Sequence, residues 1–474
     1  MKIHSRSTIA GIRTPNPVLL SLPLLLLGQQ AHAAISPVET TVLAGGSTLL
    51  VRSDKIAPRV SISLLVRVGA ADETPANAGW RQVLSSAILR TTRIDIGDKT
   101  PKYASLSDLK QRLEAWGGDI GATVDDDAVE FWITGDSRHS AELLRLLMQV
   151  VAQPRLAEED FTAARRRVLM MQSQSANNLA ARASAAIAGQ LYRDATGKPT
   201  AYALPDYGTF ESLGDATTEQ LREWHEKYFV PSEFIIAASG DVESATLKNE
   251  FLRIRQTFYK DAPTTPVDDT PPVFGRVNSN ASPVTVRVSG GGAWVFAAFR
   301  TPAPSAMTPA ENAALEVLTA ALEGSAQARL PIRLLGDADK PFDPAAASNA
   351  LAAQTAANWT KRRYAGELTV FAQTGAANVR AVRTALLDEV RKLGEAPLTA
   401  AELQNAKDFV RGRWAVERDT LRERAFRAGR ATLQSTSTDS RVPELLDAVS
   451  AKDVQDAARK YLRDSVLVNV LPQE

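Results

Sequence analysis

Few side chains in this sequence could do chemistry. Cysteine is absent, which removes thiolate catalysis, disulfides and thiolate metal sites. Beyond the first 33 residues only two histidines occur, His139 and His225. They lie far apart and begin or ride polar helix faces, so both are expected at the surface. The densest carboxylate groups are Asp125-Asp126-Asp127 and Asp72-Glu73. Neither has the looped ligand spacing of a hard-oxygen metal site, so a solvated acidic turn is expected. No Gly-x-Ser-x-Gly elbow is present. Gly290-Gly291-Gly292 lacks the following Lys-Ser/Thr of a phosphate loop and reads as a hairpin turn. What remains is a polar triplet. Gln82, Ser85 and Ser86 fall at i, i+3 and i+4, so they share one helix face. A hydroxyl is a poor zinc ligand, an amide is a weak one, and neither is a base near neutral pH.

The segment that positions this triplet runs from Val66 to Thr92. Val60, Ile62, Leu64, Val66 and Val68 alternate, which predicts a strand with one apolar face. Gly69 ends it, and Glu73, Pro75 and Asn77 supply loop chemistry. A helix follows from about Gly79. On that helix Val83, Leu84, Ala87 and Ile88 keep an apolar packing face, which is energetically separate from the polar one.

This layout resembles the insulinase-like (pitrilysin) zinc peptidases. Those enzymes carry Gly, Glu and Gly ahead of a helix bearing the inverted zinc motif His-x-x-Glu-His. Gly69, Glu73 and Gly79 match the frame, and the motif falls on Gln82-Val83-Leu84-Ser85-Ser86. Both histidines and the catalytic glutamate are therefore replaced. The resemblance puts a third ligand, a glutamate, on a second helix, and there the sequence has Gln172. Leu113–Ile133 is similar to the family's helix-Gly-Gly-strand segment. Thr200 to Gly208 resembles its His-Pro-Tyr-Gly loop without the His. The family's second half contributes an Arg and a Tyr that hold substrate backbone. Here those positions fall on Leu335 and Phe342, with Arg333 as a nearby substitute that reads as a surface residue.

Elsewhere the chain reads as a duplicated α+β unit. Thr41–Ala44 and Ser47–Arg52 flank Gly45-Gly46 as a hairpin. Ser105 begins a helix that Gly117-Gly118 stops, and a single long helical stretch is expected from Glu159 to about Gln190. Thr308-Pro309-Ala310-Glu311 is a capping box with Pro at its first helical position, and Thr399 to Glu402 repeats the signal. Leu221, Lys227 and Tyr228 align with Val454, Lys460 and Tyr461 at a constant offset. Residues 259–283 are rich in Pro, Thr, Asp and Asn and read as a stiff linker. The expected domains are 34–258 and 284–474. Residues 1–33 read as a signal peptide: Lys2, Arg6 and Arg13, then an apolar run from Val18 to Leu27, then Ala31-His32-Ala33 before cleavage at Ala34. The run is too short to span a membrane. Removing it takes the formal charge from +1 to −2, and no strongly basic region suggests nucleic acid.

The resemblance implies an α+β fold of two homologous halves, each a mixed, mainly antiparallel sheet with helices packed on it. It also implies a periplasmic, non-catalytic partner of a zinc-bearing homologue, or of a second copy of itself, that helps to bind an extended peptide. No cofactor is expected on this chain, because the partner would hold the zinc. Two alternatives stand beside this: a metallopeptidase with atypical ligands, and a scaffold subunit without a peptide substrate.

Overall fold

Two sheets with one strand order account for the duplicated sequence signals. The computed structural model describes residues 36–94, 102–267, 270–335, 350–436 and 441–473. The first half runs β1 (Glu39–Val42), β2 (Thr48–Ser53), β3 (Arg59–Val66), α1 (Trp80–Ile88), the short β4 (Thr91–Arg93) and β5 (Tyr103–Ser105), and α2 (Leu106–Glu114). It continues through β6 (Asp119–Val124), β7 (Val129–Asp136), α3 (Ser140–Ala152), α4 (Glu158–Ala176), α5 (Leu179–Leu191), α6 (Phe210–Gly214), α7 (Thr218–Tyr228), β8 (Phe234–Gly240) and α8 (Ser244–Phe258). The second half has β9 (Val284–Val288), β10 (Ala293–Pro302), α9 (Pro309–Glu323), α10 (Arg329–Leu334), β11 (Gln354–Thr360) and β12 (Ala365–Thr374). After these come α11 (Val379–Glu395), α12 (Ala400–Val416), α13 (Leu421–Leu433), α14 (Val442–Ala448), α15 (Ala451–Tyr461) and β13 (Ser465–Pro472).

The first sheet has the order β1-β2-β8-β3-β7-β6 and the second β11-β12-β10-β13-β9. Apart from β1, the two orders are the same when β2, β3, β6, β7 and β8 are matched to β9, β10, β11, β12 and β13. The directions agree as well. β2 runs parallel to β8 and β9 parallel to β13, while the other pairs in these sheets are antiparallel. The fold is α+β, in two halves that each pair a mixed sheet with helices. The aligned endings are real equivalents: α7 and α15 each span 11 residues, each end in Lys-Tyr, and each feed a strand at the same sheet position.

The expected hairpin at Gly45-Gly46 forms between β1 and β2. The glycine triplet at 290–292 is not a hairpin turn. β13 lies hydrogen-bonded between β9 and β10, so the loop joins strands that do not pair. The long helix also differs from expectation. It breaks at Asn177-Asn178, where the Asn178 side chain caps α5 by accepting from the Ala181 N–H at 3.0 Å.

That break redirects the chain. α5 leaves its own half and packs Ala183, Ile187 and Leu191 against Val286, Val288, Val466, Val468 and Val470 of the second sheet. Its counterpart α13 does the reverse and packs on β3 and β8 of the first. Each half thus lends one helix to the other's sheet. This explains why Ser61, Ser63 and Leu65 are as buried as the alternating apolar face of β3. Alternation marks one face for the core, but here the second face is covered as well. Gly429 on α13 permits the close approach. A Cβ there would stand 2.5 Å from Leu65 Cδ1. Residues 259–283 contain no helix or strand among those described. Val267 N–H donates to Glu233 Oε1 at 2.7 Å and Gly275 N–H to the Arg193 carbonyl at 2.7 Å, so this segment is held along the junction. No helix among the described residues is long and apolar enough to cross a membrane.

Candidate functional site

α1 begins where two loops pack backbone to backbone. Gly79 has φ +83°, a left-handed conformation, and a Cβ on it would stand 2.7 Å from Gly208 N. Only glycine fits both the backbone angle and the space. The 208–212 segment fastens the helix start. Ser212 Oγ donates to the Ala78 carbonyl at 2.8 Å, and Trp80 Nε1 donates to the Ser212 carbonyl at 2.9 Å. Gln172 comes from α4, which packs against α1, and its Nε2 donates to the Gly208 carbonyl at 2.6 Å. The structure therefore brings Gln172 to the same loop that starts the helix of Gln82, Ser85 and Ser86. On α1 Ser85 is buried, while Gln82 and Ser86 are half-buried.

The frame glutamate is not free. Glu73 and Arg81 are both almost fully buried and form an ion pair. Glu73 Oε1 also accepts from the Arg81 backbone N–H at 3.1 Å, and the Arg81 guanidinium reaches Asp206 at 3.2 Å. Burial pushes the Glu73 carboxyl up to about 7, against the pull of Arg81. Sequence reasoning missed this pair. The available signal was Arg81 itself, a charge that shares its helix face with Leu84 and Ile88.

The other candidates are dispersed. Arg333 is exposed on α10, which packs on α9, α11 and β11 of the second half. Phe342 lies outside the described residues. The expectation of a solvated turn at Asp125–Asp127 is overturned. Asp127 is buried, Asp126 forms an ion pair with Arg362, and Asp125 pairs with Arg430 at 2.6 Å. All these partners come from the second half, more than 230 residues away in sequence, so local composition could not reveal them. Burial pulls the Asp126 carboxyl up, but Arg362, joined by Arg81 and Arg430, outweighs it and holds it below the usual range. The two histidines, expected at the surface, are half-buried. His139 stacks on Trp116 with centroids 4.5 Å apart. His225 stacks on Phe229 at 4.9 Å, and its Nε2 lies 2.9 Å from the Val151 carbonyl. Burial holds the His225 imidazole down to about 4.

Comparison with known proteins agrees with this architecture. Residues 48–203 match the family model "Insulinase (Peptidase family M16)", and residues 215–410 match "Peptidase M16 inactive domain". Together the two matches take in most of the sequence, and the chain belongs to the M16 insulinase family. It is 24% identical over 441 residues to an uncharacterised zinc protease of Mycobacterium bovis, covering 91% of this chain and 92% of that protein. The match to an uncharacterised zinc protease of Streptomyces coelicolor is 22% identical over 239 residues. It spans 50% of this chain and 49%, about half, of that relative. Among solved structures, a peptidase M16 inactive domain from Pseudomonas fluorescens superposes with a TM-score of 0.75 at 17% identity, covering 92% of this chain and 98% of that one. A chain in complex III from Candida albicans gives 0.72 at 17% identity, covering 92% and 96%. These likenesses establish the fold.

The relatives are named zinc proteases, so the donor set can be tested against zinc. A catalytic zinc takes three imidazole, carboxylate or thiolate ligands and keeps one open position. Here the three ligand positions offer two amides, Gln82 and Gln172, and one hydroxyl, Ser86, and a second hydroxyl, Ser85, stands where the base would be. The Gln172 amide nitrogen is engaged with Gly208, and the frame carboxylate, Glu73, is engaged with Arg81. Among the described residues no group of three or more His, Asp or Glu is placed to hold a metal. The residues present do not fit a zinc ion.

Proposed function

We propose that this chain is a non-catalytic member of the family that works as the partner subunit of a zinc-bearing homologue, completing its substrate chamber and helping to bind extended peptides. The observation that carries this reading is the site around α1. Its backbone frame is kept through Gly69, Gly79 and Gly208, while neutral side chains stand at the ligand positions and the buried Glu73–Arg81 pair takes up the frame carboxylate. A buried ion pair is weak evidence for added stability, so it is read here as replacing a function that the frame no longer serves. Peptide binding would use strand addition. β6 is an outer strand of the first sheet, paired among the described residues only with β7, and α1 packs beside it. We place the chain in the periplasm on the strength of its N-terminal sequence.

The test is co-expression with a homologue bearing an intact His-x-x-Glu-His motif. The reading expects the two chains to purify together and peptide cleavage to require both. A chain that stays alone and leaves the homologue's activity unchanged would defeat it.

A further inference from the structure

The second half contains a cavity of about 680 Å3 beside α9, the equivalent of the motif helix. α9, α12 and β11 line it, and these match α1, α4 and β6 by strand order and sequence order. Its volume is that of a ligand site. Its charge is unbalanced. The Glu316 carboxylate on α9 takes both Lys361 and Arg413, one on each oxygen. Glu417 takes Arg427 at 3.1 Å, with Arg413 and Arg418 each at 3.9 Å. The wall thus sets two carboxylates against five cations, while from outside it Glu423 takes Arg427 at 3.7 Å and Asp125 and Asp127 take Arg430 at 2.6 and 3.6 Å. A guanidinium excess of this kind is complementary to carboxylates.

The neutral groups are unbalanced as well. Among the described residues Trp414 Nε1–H is buried without an acceptor, and Asn312 Oδ1 without a donor. Both residues line the cavity. An unpaired buried polar group costs free energy that a matching ligand recovers. A peptide unit offers one acceptor and one donor, which is the complement of this pair.

We propose that this cavity binds an acidic stretch of extended polypeptide, its carboxylates meeting Arg413 and Arg427 and a backbone amide meeting Trp414 and Asn312. The identification of the ligand as polypeptide rests on the peptide-binding reading above. The site itself belongs to this chain alone, so its test needs no partner subunit, and failed co-purification would leave the result standing.

The test measures binding of a fluorescent decapeptide rich in Asp and Glu to the chain from residue 34, beside a Lys-rich peptide of equal length and tripolyphosphate. The acidic peptide is expected to bind, and to weaken as NaCl rises from about 50 to about 500 mM and screening tightens. The Lys-rich peptide is expected not to bind. Joint Arg413→Gln and Arg427→Gln substitution is expected to weaken binding about ten-fold or more. Trp414→Phe removes the unpaired donor and keeps an aromatic ring under the Arg418 guanidinium, which lies 4.7 Å from the Trp414 ring, so it is expected to weaken binding with only a small change in thermal midpoint. Equal binding of both peptides would overturn the proposal. So would tripolyphosphate binding without the acidic peptide, or a Trp414→Phe protein that folds and binds like the wild type.

Discussion

Asp126 and Arg362 sit on the tips of corresponding hairpins, β6–β7 in the first half and β11–β12 in the second, and they form an ion pair across the junction. Arg362 also donates to Tyr192 Oη at 2.8 Å and to Glu367 Oε2 at 3.1 Å. The next residues join the tips through backbone, because the Arg363 N–H donates to Asp127 Oδ1 at 2.8 Å. Duplication supplied two hairpins of one shape, and opposite charge made their tips a clasp. Arg362→Met would strand a mostly buried carboxylate and is expected to cost about 3–5 kcal/mol, read from denaturant midpoints. A loss below 1 kcal/mol would mean that the exchanged helices alone hold the halves together.

Helix exchange makes its own prediction. Gly429→Val would drive two methyl groups into Leu65 and is expected to destabilise the chain by about 1–3 kcal/mol through overpacking. Adding Leu65→Ala should recover part of that loss. If the double variant is as unstable as the sum of the singles, α13 does not bear on β3 as described.

The Glu73 carboxyl gives a pH dependence of definite sign. Its folded value of about 7 lies above the ordinary 4.5. Its contribution to stability is therefore full below about 4.5 and is lost as pH rises through about 7. The cost of Glu73→Gln is expected to shrink between pH 5 and pH 8. A cost that grows over that range would show that Arg81 keeps the carboxylate ionised and overrules burial.

His225 has the opposite sign. Its folded value of about 4 lies below the ordinary 6.5. Its contribution is full above 6.5 and is lost as pH falls toward 4. His225→Gln should flatten the acid side of the stability profile in that window, read by thermal midpoints. An unchanged acid slope would place the imidazole in contact with water.

The duplication was legible in sequence because the Lys-Tyr ends of α7 and α15 are local signals, and the helix starts of the second half were legible for the same reason. Thr308 accepts from the Glu311 N–H and Thr399 from the Glu402 N–H, as their spacing predicts. The exchange of α5 and α13 was not legible. A break at Asn177-Asn178 is a small local event, and nothing near it names the sheet that α5 will cover. Ser61 and Ser63 fit the alternation of a solvated strand face, yet they are buried on a strand that α13 packs against. At the site, the positions of Gln82, Ser85, Ser86 and Gln172 were found through resemblance to the family frame. The Glu73–Arg81 pair that occupies the frame was missed, because a charged residue on a helix ordinarily faces water.

The central claim is that the amides and hydroxyls on α1 and α4 leave this chain without a catalytic metal, and elemental analysis of the purified chain tests it most directly. After incubation with zinc and desalting, far less than one zinc per chain is expected, with peptide cleavage absent until a His-x-x-Glu-His homologue is added. One tightly held zinc per chain, with chelator-sensitive cleavage by the chain alone, would contradict the account.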